Sequence, residues 1–336
     1  MGNPYKIILI LLISLILMVN CTSVTALEQN SIESIGYVKH LEIYIVYDNY
    51  VFNEKLKPSW GVSFYIIADD NVLLFDTGGD GEILISNMRE LNLKPEDIKV
   101  IVLSHIHGDH IGGLYKLLSI NSKVIVYLPS SFPRNVKDEI KQFGAKIVEV
   151  SGPTIICNGV ASTGEMPSGI GLYEQALIIN TTLGPLILTG CAHPGVDNIV
   201  VKVAKMMKYS SILLVGGGFH LAGASDTRIL KIIDAFKKYN VKLVMPIHCS
   251  GDRTRELFRQ VYGEKCLFGG VGFHLTLDDL ERLVENERTM TGAKAVLSTT
   301  SGVKTCTTTI GYTAITVMII LLILMVFFIL YRRLRL

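Results

Sequence analysis

Two uncharged apolar runs bracket this chain, and between them short apolar stretches alternate with polar ones at strand and helix spacing. Residues 41–47, 62–68 and 72–75 are rich in Ile, Tyr, Val and Leu and read as strands, the last ending in Asp76-Thr77-Gly78. Residues 99–103 form a short apolar run that stops at Ser104, and a helix is expected to start near His110 and run through Leu114 to Ser119. Beyond it the two periods alternate. Strands are expected at 124–128, at 176–180 and 186–189 on either side of a Gly184-Pro185 turn, and at 212–215 and 241–247. Helices are expected at 135–143, 196–207 and 227–239. Strand runs mixed with strand–helix units predict a layered α/β sandwich. The sequence contains no solenoid-type repeat.

The apolar ends set the expected topology. Residues 7–19 are short for a membrane span and suit a signal-peptide hydrophobic region, with the small-residue stretch Val24-Thr25-Ala26 behind them. Residues 1–26 are therefore expected to be cleaved after Ala26 or kept as an N-terminal anchor. Residues 310–330 carry no charge and suffice for a membrane-crossing helix that closes at Tyr331. Arg332, Arg333 and Arg335 follow, so by the positive-inside rule 332–336 form a cytoplasmic tail and everything before Ile310 faces outward. A Ser/Thr-rich tether at 298–309 joins the 310–331 helix to one domain at 27–297. The expected localisation is a membrane-anchored chain with its domain extracytoplasmic.

Charge and cysteine content narrow the chemistry. The chain has 336 residues, and Lys+Arg is 32 against Asp+Glu 30, a balance without the basic footprint of a nucleic-acid binder. Of the six cysteines no pair has CxxC spacing, which argues against a structural zinc knuckle. Outside the cytosol Cys191 and Cys249 are candidates for a disulfide, but buried free thiols are the favoured reading. Cys21 follows Asn20 and fits a lipidation motif poorly.

Six of the eight histidines sit just after apolar strand-like runs: His105, His107, His110, His193, His220 and His248. Loops at strand ends are where sites gather on a rigid frame. In Ser104-His-Ile-His-Gly-Asp-His110 the alternating pair His105 and His107 can point to one side of an extended segment, while Asp109 and His110, past Gly108, can serve a second ion. Imidazole and carboxylate donors suit zinc, with iron and manganese as rivals.

The run His105-x-His107-x-Asp109-His110 resembles the HxHxDH signature of the metallo-β-lactamase superfamily. Phe75-Asp76-Thr77-Gly78, Gly190-Cys191-Ala192-His193 and Ile247-His248 resemble its other elements in the same order, and the likeness covers about residues 41–277. The segments at 47–50, 189–200, 217–223 and 247–251 resemble one branch, whose members are commonly named 7,8-dihydropterin-6-ylmethyl-4-(β-D-ribofuranosyl)aminobenzene 5′-phosphate synthase. The resemblance implies a four-layer αββα sandwich and two zinc ions, the first held by His105, His107 and His193 and the second by Asp109, His110 and His248. It implies that Asp76 orients a ligand histidine by hydrogen bond. One departure stands out. The superfamily's bridging Asp is missing: the corresponding strand ends Gly216-Gly-Gly-Phe-His220, with no Asp before Asp226. His220 is expected either to take that place as a ligand or to contact substrate.

Other residues receive plainer readings. His274 is expected in the sheet or a pocket, His40 carries no signal, and Asp48 and Asn49 cap a turn or stand beside the site. Glu165 is read as a loop residue, in a loop able to cover the pocket, and Gly216 to Gly218 allow close backbone packing. The resemblance implies a metallo-hydrolase in which a metal-bound hydroxide, oriented by Asp109 with His220 as helper, attacks a small-molecule ester or phosphoester. The branch name implies instead a pterin-linked transferase, whose substrates belong to the cytosol although this domain is expected outside. A non-catalytic metal or ligand receptor is the third reading. The expected partners are a small-molecule substrate and, through the C-terminal helix, a membrane, with no nucleic acid; the sequence leaves the oligomeric state open.

Overall fold

The structure, a computed structural model, describes residues 35–169 and 171–285. The expected signal or anchor segment at 1–26, the tether, the membrane helix at 310–331 and the basic tail lie outside the described residues. Among the described residues no helix is long and apolar enough to cross a membrane.

The first half of the chain supplies β1 (Leu41–Tyr47), β2 (Ser63–Ala68), β3 (Asn71–Phe75), β4 (Val100–Val102), β5 (Ile125–Pro129) and β6 (Lys146–Val150). The second half supplies β7 (Thr154–Cys157), β8 (Val160–Ser162), a two-strand hairpin of β9 (Met166–Pro167) and β10 (Tyr173–Glu174), then β11 (Leu177–Thr181), β12 (Gly184–Thr189), β13 (Ile212–Gly218) and β14 (Val241–Ile247). A final strand, β15 (His274–Thr276), returns to pair with β1. One sheet runs β15-β1-β2-β3-β4-β5-β6, antiparallel up to β3 and parallel from β3 onward. The other runs β14-β13-β12-β11-β8-β7, parallel across β12 to β14 and antiparallel beyond.

Strand periodicity explains how the sheets stack. Successive side chains point to opposite faces. Leu186 and Leu188 of β12 join Leu177 and Ile179 of β11 in a core shared with Phe64, Ile66 and Phe75 of the other sheet. Ile187 and Ile178, one residue out of phase, face a second core formed with the helices Val196–Met207, Asp226–Lys238 and Asp252–Tyr262, which includes Phe236 and Phe258. On the far side Leu74, Ile101 and Val126 pack under the earlier helices, with Leu84 and Met88 of the Gly81–Glu90 helix and Leu114 and Leu117 of the Leu114–Ile120 helix. Three apolar layers between four structural ones make the expected αββα sandwich. Each fully buried Leu, Ile or Phe contributes about 1.5–3 kcal/mol of transfer free energy.

The structure departs from the sequence reading in several places. Gly184 and Pro185 belong to β12 itself, with Pro185 opposite Asn180. Pairing with β13 begins only at Leu186, so the missing proline N–H falls outside that ladder. The single helix expected after His110 is two short ones, Gly108–Ile111 and Leu114–Ile120, broken at Gly112-Gly113. A Cβ on Gly113 would lie 2.2 Å from the Thr77 carbonyl oxygen, so this turn packs directly on the Asp76-Thr77-Gly78 loop. Strands β6 to β10 and β15 and helices Gly81–Glu90 and Asp252–Tyr262 were not expected.

Candidate metal centre

The carboxyl ends of strands from both sheets converge on one site. From the first sheet, Asn49 follows β1, Asp76 follows β3, and Ser104, His105 and His107 follow β4, with Asp109 and His110 in the short helix behind them. From the second, Cys191 and His193 follow β12, His220 follows β13 and His248 follows β14. Asp76, Ala192, His220 and His248 all adopt positive φ, between 50° and 58°. That conformation costs about 1–2 kcal/mol for an L-residue, and its clustering here marks strain concentrated at a functional site.

Hydrogen bonds fix the ring nitrogens. Ser104 donates its backbone N–H to Asp76 Oδ1 and its hydroxyl to Asp76 Oδ2, both at 2.6 Å. With its one hydroxyl proton committed, Ser104 Oγ accepts from His105 Nδ1 at 2.9 Å. His110 Nδ1 donates to Asp76 Oδ2 at 2.7 Å. His193 Nδ1 donates to Glu174 Oε2 at 2.8 Å. His248 Nδ1 donates to Asn49 Oδ1 at 3.0 Å, and Asn49 Nδ2 donates to the His248 carbonyl at 3.4 Å, which orients the amide. Four rings thus spend Nδ1–H on an outer partner and present the Nε2 lone pair inward.

The inward nitrogens meet other candidate donors of the site. His248 Nε2 is buried without a hydrogen-bond partner and lies 3.3 Å from Asp109 Oδ2. His110 Nε2 lies 3.6 Å from the same carboxylate oxygen and 3.1 Å from Cys191 Sγ. His105 Nε2 lies 3.1 Å from His107 Nδ1. Burial pushes His105 and His110 down to about 3, so both rings are neutral bases at ordinary pH. A pocket of neutral imidazoles around a carboxylate, their lone pairs turned toward one another, fits transition-metal cations.

The candidate donors form three groups whose ligand atoms lie within 4.8 Å of one another: His105, His107 and His193; Asp109, His110, Cys191 and His248; and Cys191, His193 and His220. All the histidines singled out in the sequence, with Asp109, are therefore brought together, and Asp76 stands behind His110. His220 joins His193, at 4.3 Å between ring centroids, and Cys191. His107 and His220 are exposed and Asp109 is partly so; they form the mouth, beside the exposed Trp60, whose ring centroid is 4.8 Å from that of His248.

Glu174 was missed. It is fully buried and accepts from the backbone N–H groups of Cys191, Ala192 and His193 as well as from the His193 ring. Burial opposes its ionisation, but His105 and the His193 hydrogen bond outweigh it and hold the carboxyl well below the usual range. Burial likewise pushes Asp76 up, to about 7, against His105 and Ser104. Residues read more plainly fall elsewhere. His274 stacks on Tyr44 and meets Glu42 at 2.9 Å, His40 meets Glu42 at 3.2 Å, and Glu165 accepts from Ser131 N on the surface. Asp48 Oδ1 accepts from Tyr50 N in a turn, while Asn49 stands beside the site. Cys191 and Cys249 are buried free thiols. A Cβ on Gly218 would lie 2.3 Å from the Gly190 carbonyl oxygen, the close backbone approach expected of that glycine run.

Comparison with known proteins agrees with this geometry. Residues 59–203 match the family described as the metallo-beta-lactamase superfamily. The chain is 30% identical over 278 residues to a 7,8-dihydropterin-6-methyl-4-(beta-D-ribofuranosyl)-aminobenzene-5'-phosphate synthase of Methanocaldococcus jannaschii, across 69% of this chain and 95% of that one. Among solved structures it is similar to Tm1679, described as a metal-dependent hydrolase of the beta-lactamase superfamily, with 26% identity, a TM-score of 0.59, and coverage of 70% of this chain and 98% of that one. It also shares its fold with the metallo-beta-lactamase fold protein YhfI from Bacillus subtilis, at 14% identity and a TM-score of 0.54, over 70% of this chain and 99% of that one.

Proposed function

This chain is an enzyme that belongs to the metallo-β-lactamase superfamily, and on that premise we propose that it is a metal-dependent hydrolase-like enzyme acting on a small-molecule ester or phosphoester. The observation that carries the reading is the set of inward Nε2 lone pairs, each backed by an Nδ1 hydrogen bond, around the Asp109 carboxylate. In this reading His105, His107 and His193 hold one zinc ion and Asp109, His110 and His248 a second, with iron or manganese as rivals. Such ions would lower the pKa of water toward neutrality and polarise the scissile carbonyl or phosphoryl group.

The protein's own groups do the rest. Asp76 and Glu174 lock the tautomers of His110 and His193, so that donor lone pairs are pre-aimed. Asp109 reaches the mouth with its carboxylate, where it can accept a proton from the attacking water and orient it. His220, exposed beside His193, is placed to meet a leaving group or developing negative charge. Trp60 offers an apolar face to the substrate body at the same mouth.

The likeness over 95% of the Methanocaldococcus synthase supports a second reading, a transferase that forms a pterin-linked ribofuranosylaminobenzene 5′-phosphate. The apolar ends support a membrane-anchored topology, with 1–26 as signal or anchor, 27–297 outside, 298–309 as tether, 310–331 spanning and 332–336 inside. Screening the zinc-, manganese- or iron-loaded protein against phosphodiesters, lactones and thioesters, alongside formation of the pterin–aminobenzene product, separates the readings. Hydrolysis of a member of the first panel supports ours; product formation with no hydrolysis overturns it in favour of the transferase.

A further inference from the structure

We infer that the Cys191 thiolate is a metal ligand shared between the Asp109, His110 and His248 position and the His193 and His220 side of the site. The inference rests on the reading of the cluster as a metal centre. Cys191 Sγ is the donor atom common to the group of Asp109, His110 and His248 and the group of His193 and His220. His220 is grouped only with His193 and Cys191, and His193 also belongs with His105 and His107, so the sulfur meets the first position's ligand set through His193. A thiolate has lone pairs enough for two cations, and a soft sulfur donor suits zinc and its neighbours.

The placement of the sulfur is enforced. Cys191 N and Ala192 N both donate to Glu174 Oε1, at 2.8 and 2.7 Å, and His193 N donates to Oε2 at 2.8 Å. Three consecutive amides clamped on one buried carboxylate fix the direction in which the Cys191 side chain leaves the backbone. It points at His110 Nε2, 3.1 Å away, a nitrogen whose Nδ1 is already committed to Asp76. Across the same group lies His248 Nε2, buried and without a hydrogen-bond partner. A sulfur held against one inward lone pair and grouped with a second is placed as a ligand, where an inert core thiol would be surrounded by carbon. Cys249 meets Cys191 and His220 by side-chain hydrogen bonds from outside the donor groups. It is also buried and adjacent, its Sγ 3.8 Å from the Cys191 carbonyl oxygen.

The test is optical. The full chain, purified in detergent with a phosphine reductant and stripped of metal, is titrated with Co(II), whose thiolate complexes show a sulfur-to-metal charge-transfer band in the near ultraviolet. The expected result is a band that grows through both equivalents of cobalt. Cys191→Ser should abolish the band and weaken the second equivalent by more than about tenfold, the loss that removing a partner behind a ligand already produces. Cys191→Asp should lose the band and recover two-ion binding, and Cys249→Ser should keep it. Circular dichroism of the metal-free variants separates misfolding from ligand loss. Two bound ions with no band, or a band that survives Cys191→Ser, overturns the inference and leaves the metal centre standing. A band that saturates at one equivalent overturns the sharing. No cobalt bound at all refutes the metal-centre reading and the inference together.

Discussion

Replacing Glu174 by Gln exposes how much of the site depends on one residue outside the histidine pattern. The carboxylate accepts four hydrogen bonds. Oε1 takes Cys191 N and Ala192 N, while Oε2 takes His193 N and His193 Nδ1, all at 2.7–2.8 Å. An amide has only one acceptor oxygen. If its NH2 takes the Oε1 place, two buried backbone donors lose their acceptor, at about 1–3 kcal/mol each. If it takes the Oε2 place, the amide can donate to His193 Nδ1 and only His193 N is orphaned. The second arrangement is favoured by about 1–3 kcal/mol, and it forces the opposite His193 tautomer, with the proton on Nε2 facing the site. Binding a cation then requires the first arrangement. Glu174→Gln should therefore lower the stability of the metal-free protein by about 1–3 kcal/mol and weaken zinc by a similar free energy, in line with the roughly 10–100-fold typical of such partners. Urea unfolding of stripped protein measures the first quantity, and zinc titration against a chromogenic chelator measures the second. Lost stability with unchanged zinc affinity would refute the tautomer argument and reduce Glu174 to a clamp on the 191–193 backbone.

Three more outcomes are expected. Protein produced without a histidine tag should carry between one and two transition-metal ions per chain, and chelation should lower its stability, by about 4 kcal/mol relative to metal held at a thousand times its dissociation constant; metal-free protein that takes up no zinc on titration would contradict this. Trp60 is the chain's single tryptophan and its ring lies 4.8 Å from that of His248, so Cu(II) or Co(II) should quench its fluorescence on binding, and His248→Ala should remove most of that response. External protease should digest the domain on intact cells, because the arginines at 332, 333 and 335 point the tail inward; protection until the membrane is broken would reverse the topology and favour the synthase reading.

The sequence made the histidines legible because their signal is local. Four donors fall within residues 105–110, and the other histidines follow apolar strand runs that the structure confirms as β12, β13 and β14. Asp76 was legible through the resemblance, but the contacts that cross the chain were not, because nothing local ties them to the site. Asn49 meets His248 across 199 residues and Cys191 meets His110 across 81. Glu174 meets His193 across only 19, but it sits in a two-residue strand with no pattern of its own. The same cause hid β6, whose residues are mostly exposed or half-buried and so lack the alternation that marks a strand with one buried face. The helix after His110 was misjudged for another reason: its apolar spacing continues through Gly112-Gly113, and only contact with the Thr77 loop dictates the break.

The distribution of donors over the two sheets gives the proposed ions a mechanical role besides a chemical one. His105 and His107 come from the sheet that carries β4, and His193 comes from the sheet that carries β12. In the second group Asp109 and His110 come from the first sheet, Cys191 and His248 from the other. Neither position can be filled from one sheet alone, so each ion held there would tie the two halves of the sandwich at its open end, where the apolar layer between the sheets gives way to polar loops. The outer partners follow the reverse logic. Asp76 backs His110 within the first half of the chain, and Glu174, on the β9–β10 hairpin, backs His193 within the second, so each half pre-aims its own donors before the halves are joined. Asn49 and His248 are the exception, one hydrogen-bonded pair that crosses the sheets without a cation. The strained φ values of Ala192, His220 and His248 all lie in the second half. That half therefore bears most of the cost of presenting a site that only the assembled sandwich completes.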